Sequence, residues 1–184
     1  MESTARRLLV ATPALLDPNF SRTVVFMVEH NGEGALGVVL NRPTEVALAE
    51  PLPDWSDIAT EPNVAFLGGP VQPQDAVIGL ARVRAPEQCD GWQPLVGTIG
   101  TVDLARSPAE IPIALESVRV FAGYAGWGPQ QLDVELARKD WFVVDALPDD
   151  VFTTSPAALW RAVLRRQRGD LAMAANFPLD PSVN

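Results

Sequence analysis

The stretch VRVFAGYAGWGPQQLDVEL, residues 118–136, joins an apolar run, a glycine-spaced aromatic segment and a helix start. In residues 118–123, apolar side chains occur at both even-numbered and odd-numbered positions. This spacing predicts a strand packed on both faces. Three closely spaced glycines follow and predict a tight turn, because glycine tolerates positive φ and close backbone approach. Pro129 suits the first turn of a helix, and Leu132 and Leu136 would face the core. We expect the rest of the chain to be organised around this unit.

The glycine turn has two interpretations. Free N–H groups where the turn meets the helix could hold an anion or another ligand. Alternatively, Tyr124 and Trp127 fill the core and the turn only joins a strand to a helix. The second interpretation is favoured, because the spacing is not that of a phosphate-binding loop and no Walker lysine follows. Asp133 and Glu135 are expected to remain in water.

Apolar and β-branched runs predict several further strands. They cover residues 8–11, 23–30, 35–41, 64–67, 76–83, 95–102 and 141–146. Residues 31–34 (NGEG) predict a hairpin between the second and third of these runs. A helical turn is expected in residues 46–52, a short helix in 109–117, and a longer helix that starts after Ser155 and ends at Gly169.

The chain is predicted to form a single α/β domain over residues 1–184, with an extended C-terminal tail from about residue 170. Its length allows a sizeable core, and its 47% apolar content is typical of a globular protein. No run approaches the roughly 20 apolar residues that span a bilayer, so no membrane contact is predicted.

Charge and cysteine content narrow the functional classes. The chain has 14 basic and 23 acidic residues, a formal net charge of −9. Such a chain is repelled by phosphate backbones, so direct nucleic-acid binding is not expected. Cys89 is the single cysteine, which excludes an internal disulfide and thiolate zinc clusters. A reducing, cytoplasmic location is consistent with this content.

No complete catalytic constellation is evident. His30, the single histidine, could act as a base oriented by Glu29 or Asp17, with Ser21 as nucleophile. A hydrogen-bonded structural histidine is favoured instead, since the nucleophile motif GxSxG is absent. No catalytic residue, metal site or cofactor is therefore predicted, although a carboxylate magnesium site stays open.

Polar and glycine-rich positions at strand ends are the best candidates for ligand contact, because sites usually lie on loops carried by a rigid sheet. The candidate ligand-binding residues are Asn41, Arg42, Gly68, Gly69, Tyr124, Trp127 and Gln131. An arginine face on the last helix, with Arg161, Arg165 and Arg168, could bind an acidic partner or phosphates. It could equally be an ordinary solvated face.

Five segments together resemble the YqgE/AlgH family of small bacterial proteins. They are LLVATPALLDPNFSRTVVFMVEH (8–30), GALGVVLNRP (34–43), FLGGPV (66–71), GYAGWGPQQL (123–132) and Trp141. The resemblance implies a cytosolic α/β domain whose mixed, partly bifurcated sheet folds toward a pseudo-barrel with flanking helices. Members are often labelled transcriptional regulators. The chain departs from the family pattern at Gln130, where glycine is common, and at Asp133, where glutamate is usual.

These observations favour a non-enzymatic role in regulation or protein interaction, with another protein or a small ligand as partner. The alternative is a small-anion-binding or nucleotide-binding protein, or a weak hydrolase, that uses the glycine turns and His30. No oligomeric state is predicted from the sequence.

Overall fold

The computed structural model describes residues 3–178, whose strands form two sheets. The strands are β1 (Arg7–Ala11), β2 (Val24–Asn31), β3 (Gly34–Val39), β4 (Pro43–Ala47), β5 (Val64–Leu67), β6 (Val77–Val83), β7 (Trp92–Val96), β8 (Ile99–Val102), β9 (Leu115–Ala122), β10 (Ala125–Trp127) and β11 (Trp141–Asp145). The helices are α1 (Pro53–Ser56), α2 (Gln131–Ala137), α3 (Pro148–Val151), α4 (Pro156–Arg165) and α5 (Asp170–Ala174).

The first sheet has the order β10-β3-β2-β1-β11, and every neighbouring pair is antiparallel. Strand β1 lies inside this sheet, where Leu9 is paired with Val25 on one side and Val143 on the other. The predicted hairpin is confirmed, since β2 and β3 pair up to Asn31 and Gly34.

The second sheet has the order β4-β5-β9-β6-β8-β7 and is mixed, because β5 and β9 run parallel. Strand β9 ends at Ala122, and β10 begins three residues later in the first sheet. Gly123, with φ of 72°, lies at this transition. Residues 118–136 therefore pass from one sheet to the other.

The inner strands of the two sheets consist mostly of buried or half-buried residues, whereas the edge strand β4 is mostly exposed. Apolar residues of the two sheets, such as Phe26 and Phe121, share the main core with Leu159 and Trp160 of α4. A second cluster on the first sheet includes Trp127, and a third includes Trp55 and Trp92. This burial explains why the strands are continuous apolar runs rather than alternating ones. The α/β class is confirmed, and the two sheets are not closed into a barrel.

Two expected helical segments were wrong in part. Residues 43–47 form β4, so only a turn at 48–52 matches the helical turn expected in 46–52; there the Leu52 N–H donates to the Leu48 carbonyl at 2.9 Å. Residues 109–117 contain the end of a 3₁₀ turn (Pro108–Glu110) and the start of β9. Pairing with β6 supplies backbone partners to this strand, while Pro112 is unfavourable within a helix.

The C-terminal region also differs from expectation. Helix α4 ends at Arg165, and Gly169 instead precedes α5, where an extended tail was expected. Residues 179–184 of that tail lie outside the described part of the chain.

Arg119, in the middle of β9, is 1% exposed and carries a positive charge into the core. Its guanidinium donates to four backbone carbonyls and lies 4.3 Å from the Phe66 ring centroid. The acceptors are Thr60 (3.4 Å), Glu61 (2.9 Å), Val151 (3.3 Å) and Thr153 (2.7 Å). Burial lowers the pKa of Arg119 to about 10, so the group is still charged at neutral pH. One side chain thus joins the loops before β5 and after α3 to the second sheet.

Replacing Arg119 by Met should lower the free energy of unfolding by roughly 3 kcal/mol, because buried carbonyls left without a donor cost about 1–3 kcal/mol each. Urea denaturation measures this change. The matched control is Arg84→Met, whose side chain is 84% exposed and should change stability by less than about 0.5 kcal/mol. Equal stability of the two variants would contradict this role for Arg119.

Candidate functional site

Gly68 and Gly69, predicted to contact a ligand, lie against the backbone of residues 123–124. Gly68 donates to the Ala122 carbonyl and accepts from Val39 N–H, each at 2.8 Å, and so bonds to both sheets. A Cβ on Gly68 would lie 2.3 Å from the Gly123 carbonyl oxygen, and one on Gly69 would lie 2.2 Å from the Tyr124 carbonyl oxygen. The space that a ligand could use at these glycines is occupied by the chain's own backbone. Ligand contact there stays a prediction.

Trp127 is the last residue of β10 and Gln131 the first of α2, and the polar groups of both are bonded to Glu135. The indoles of Trp127 and Trp141 both donate to Glu135 Oε2 at 2.9 Å. Gln131 donates to Glu135 Oε1 at 3.2 Å and accepts from Gly128 N–H at 3.0 Å. Glu135 is therefore not the solvated residue that was expected. Sequence reasoning missed this role, although two nearby tryptophans whose indole N–H groups need acceptors were a usable signal.

Gln130 has a backbone conformation that favours glycine. It precedes α2 with φ of 63°, in the left-handed region, so the helix begins at Gln131 and not at Pro129. A side chain in this conformation is strained, whereas glycine is not. The departure noted in the sequence thus has a local cost in backbone energy.

His30 is hydrogen-bonded to backbone, as the favoured interpretation of a structural histidine predicts. Its Nδ1 accepts from Thr4 N–H at 3.2 Å and lies 3.0 Å from Thr4 Oγ1, while its Nε2 lies 3.8 Å from Asp133 Oδ1. The disfavoured alternative, a catalytic base, named Glu29 or Asp17 as its orienting partner; the Glu29 carboxylate instead accepts from the Asn31 side chain at 2.7 Å. Thr4 is 3% exposed and the His30 side chain 9%. Thr4 and His30 are thus largely buried, and their hydrogen bond ties the N-terminal segment to β2, with Asp133 of α2 nearby.

Asn41 and Arg42 turn toward the segment before β2. The Asn41 amide accepts from Val24 N–H at 3.0 Å and donates to the Arg22 carbonyl at 2.8 Å. Arg42 Nη2 donates to the Ser21 carbonyl at 3.1 Å. The seven predicted residues therefore form three groups: Gly68, Gly69 and Tyr124 at the crossing, Trp127 and Gln131 at α2, and Asn41 and Arg42 beside α4.

An open apolar groove of about 800 Å³, which sequence reasoning missed, lies between the segment after β1 and the end of α5. Its lining residues, called the apolar groove below, are Thr12, Pro13, Ala14, Leu16, Ser21, Arg22, Lys139, Phe142, Asp170, Met173, Ala174, Phe177 and Pro178. Leu16, Met173 and Phe177 are 69%, 63% and 54% exposed. They are distant in sequence, so no local pattern could identify the groove.

Within residues 3–178, no three His, Cys, Asp or Glu side chains come together in a way that could hold a metal ion. Over the same residues, none of the helices has the length and apolar character needed to cross a membrane.

Residues 8–172 match the family model described as AlgH-like. The chain belongs to the AlgH-like family. The UPF0301 protein of Streptomyces coelicolor is 53% identical to this chain. The match covers all of this chain and 97% of the relative. The UPF0301 protein of Mycobacterium tuberculosis is 45% identical, with 98% of this chain and 90% of the relative covered.

Two solved structures share the AlgH-like fold. A crystal structure of a Corynebacterium diphtheriae protein has a TM-score of 0.89 and 32% identity, covering 96% of this chain and 94% of that one. The solution structure of AlgH from Pseudomonas aeruginosa has a TM-score of 0.67 and 28% identity, with 96% and 95% covered. The names of these proteins state no reaction, so the similarity gives the family and the fold of this AlgH-like protein but no specific activity.

Gly68→Ala should lower the free energy of unfolding by about 3 kcal/mol, because the new methyl group would overlap a backbone that cannot move without disturbing both sheets. Chemical denaturation checks the value. Gly32→Ala is the control, since a Cβ there meets nothing within 4 Å. If both variants unfold at the same denaturant concentration, close packing at Gly68 is not a constraint.

Gln130→Gly should raise the free energy of unfolding by up to about 1 kcal/mol, because relief of the left-handed strain exceeds the added chain entropy. Gln130→Ala should bring no such gain, since alanine keeps the strained φ without the glutamine side chain. Thermal and urea unfolding of the three proteins make the comparison. A gain in the alanine variant alone would attribute the effect to the side chain and contradict the backbone explanation.

Proposed function

We propose that this AlgH-like protein is a non-enzymatic protein of the bacterial cytosol that acts by contact with another protein. The observation that carries the proposal is the apolar groove. Its exposed Leu16, Met173 and Phe177 side chains lie together on one surface. Contiguous exposed apolar surface on a soluble protein commonly marks an interaction site.

The charges at the groove indicate the chemistry of its occupant. Arg22 and Lys139 line it, and Asp170 is the acidic residue among the lining residues. A segment with apolar side chains next to a carboxylate would complement both the apolar surface and the two cations. We therefore propose an acidic, apolar segment of a partner protein as the occupant.

The polar groups of the candidate ligand-binding residues favour contact over catalysis. Hydrogen bonds to other residues of the chain already engage the side chains of Trp127, Gln131 and Asn41. The hydroxyl beside His30 belongs to Thr4, which is buried. A nucleophile in that position lacks access to substrate, which weakens the hydrolase alternative.

Regulation, in this proposal, is exerted through the partner. The net charge of −9 opposes direct contact with nucleic acid. Any effect on transcription would then follow from the protein that occupies the groove.

The test compares proteins captured from lysates of the native bacterium by the wild type and by variants with a charge placed in the groove. A partner should be retained by the wild type and lost with Leu16→Glu and Met173→Glu, because a carboxylate would enter an apolar contact. Val134→Glu is the control, since Val134 is 48% exposed but does not line the groove.

The captured partner is then purified and titrated by calorimetry. We expect the two groove variants to weaken the affinity at least about tenfold and the control to leave it unchanged. A peptide of the bound segment should lose affinity when its acidic residues are replaced by amides. Equal affinity of all variants would disprove docking at the groove.

A further inference from the structure

Three arginine side chains from distant parts of the chain converge on one small pocket. The pocket has a volume of about 230 Å³ and is lined by Ser21, Arg22, Asn41, Arg42, Ala157, Trp160 and Arg161. Arg22 precedes β2, Arg42 follows β3, and Arg161 belongs to α4. This set is called the arginine pocket below. A concentration of positive charge is unexpected in a chain whose net charge is −9.

No carboxylate within residues 3–178 forms an ion pair with these three arginines. Other arginines, such as Arg7, Arg106 and Arg166, do have acidic partners. Burial, followed by the nearby Arg161 guanidinium, lowers the pKa of Arg22. Like charges therefore face each other across the pocket, and an anion between them would relieve the repulsion.

The three guanidinium groups keep donors available. Arg42 donates to Ser21, and Arg22 donates to the Pro178 carbonyl at 2.6 Å. Arg161 donates to two carbonyls at the end of α5, at 3.1 and 3.3 Å. Each guanidinium has five N–H donors, so several are left after these bonds. Arg22 Nη1 is buried without a hydrogen-bond partner in the described chain.

Arg22 is held in place by groups that would not need to move on binding. Its Cζ lies 4.3 Å from the Trp160 ring centroid. The Trp160 indole is itself fixed by donation to the Ala11 carbonyl at 2.9 Å. Asn41 bonds the Arg22 carbonyl, where φ is 59°. A preorganised charge of this kind costs little ordering free energy when a ligand binds.

We infer that the arginine pocket binds the phosphate group of a small molecule. Planar guanidinium forks match the oxygens of a phosphate, and several of them around one small pocket can neutralise its charge. The phosphate could be inorganic phosphate or the terminal phosphate of a nucleotide, since both present the same oxygens. This site is separate from the glycine turns and His30, and it goes beyond the proposed contact with a partner protein.

Calorimetric titration with inorganic phosphate tests the inference, with sodium chloride at matched ionic strength as the salt control. Wild-type protein should give saturable heat with phosphate and none with chloride. Arg42→Gln and Arg161→Gln should each weaken phosphate binding about tenfold or more, because each removes a charge-assisted hydrogen bond. Arg165→Gln is the matched control: it lies on α4 and is exposed, but it does not line the pocket.

A second titration with adenosine triphosphate distinguishes the two sources of phosphate. Tighter binding of the nucleotide than of inorganic phosphate, with the same variant dependence, assigns the site to a phosphorylated metabolite; equal affinity assigns it to free phosphate.

Nuclear magnetic resonance of the wild type gives a readout that does not depend on the variants folding. Phosphate should shift the Trp160 indole signal. The Trp55 indole signal should stay unchanged, because that indole donates to the Arg106 carbonyl and does not line the pocket. The inference is overturned by the absence of saturable binding in the wild type, by equal affinities for Arg42→Gln and Arg165→Gln, or by an equal effect of chloride.

Discussion

Close backbone contact between residues 68–69 and 123–124 sets how the two sheets meet. Gly68 is hydrogen-bonded to β3 in the first sheet and to β9 in the second, and no side chain fits between these segments. The chain can therefore leave β9 and enter β10 within three residues. Because β10 is followed directly by α2, this contact also places the Trp127–Glu135–Trp141 cluster. The rest of the first sheet's outer core packs on that cluster.

Buried polar groups then connect the segments that the sheets leave apart. Arg119 holds loops from two regions of the chain through their carbonyls, and Glu135 accepts from two indoles. His30 joins Thr4 to the neighbourhood of Asp133. Each of these residues could be taken for a functional group from its chemistry alone. Their hydrogen bonds within the chain account for them as parts of the fold, since a buried polar group without a partner is costly.

The surface left for recognition lies elsewhere, where α4 and α5 approach the segments around β1 and β2. The apolar groove and the arginine pocket share Ser21 and Arg22. An anion in the pocket would change the charge at the edge of the groove, so the two proposed binding events are expected to influence each other. This arrangement gives an acidic protein one region that is suited to anionic groups. Of the three arginines predicted to share one helix face, Arg161 lines the pocket, Arg165 is exposed on α4, and Arg168 is exposed between α4 and α5.

The sequence by itself determined the family, the α/β class and most strands, because runs such as residues 24–31 carry local propensity and burial in their own pattern. It did not predict β4 or the start of β9, since backbone pairing with distant strands overrides local preference there. Only the tertiary structure decided the roles of Glu135 and Arg119, and only it brought Arg22, Arg42 and Arg161 together. The reason is physical: local patterns record which residues are buried, whereas this convergence of charge requires Arg161 to pack beside two arginines that lie more than one hundred residues earlier in the chain.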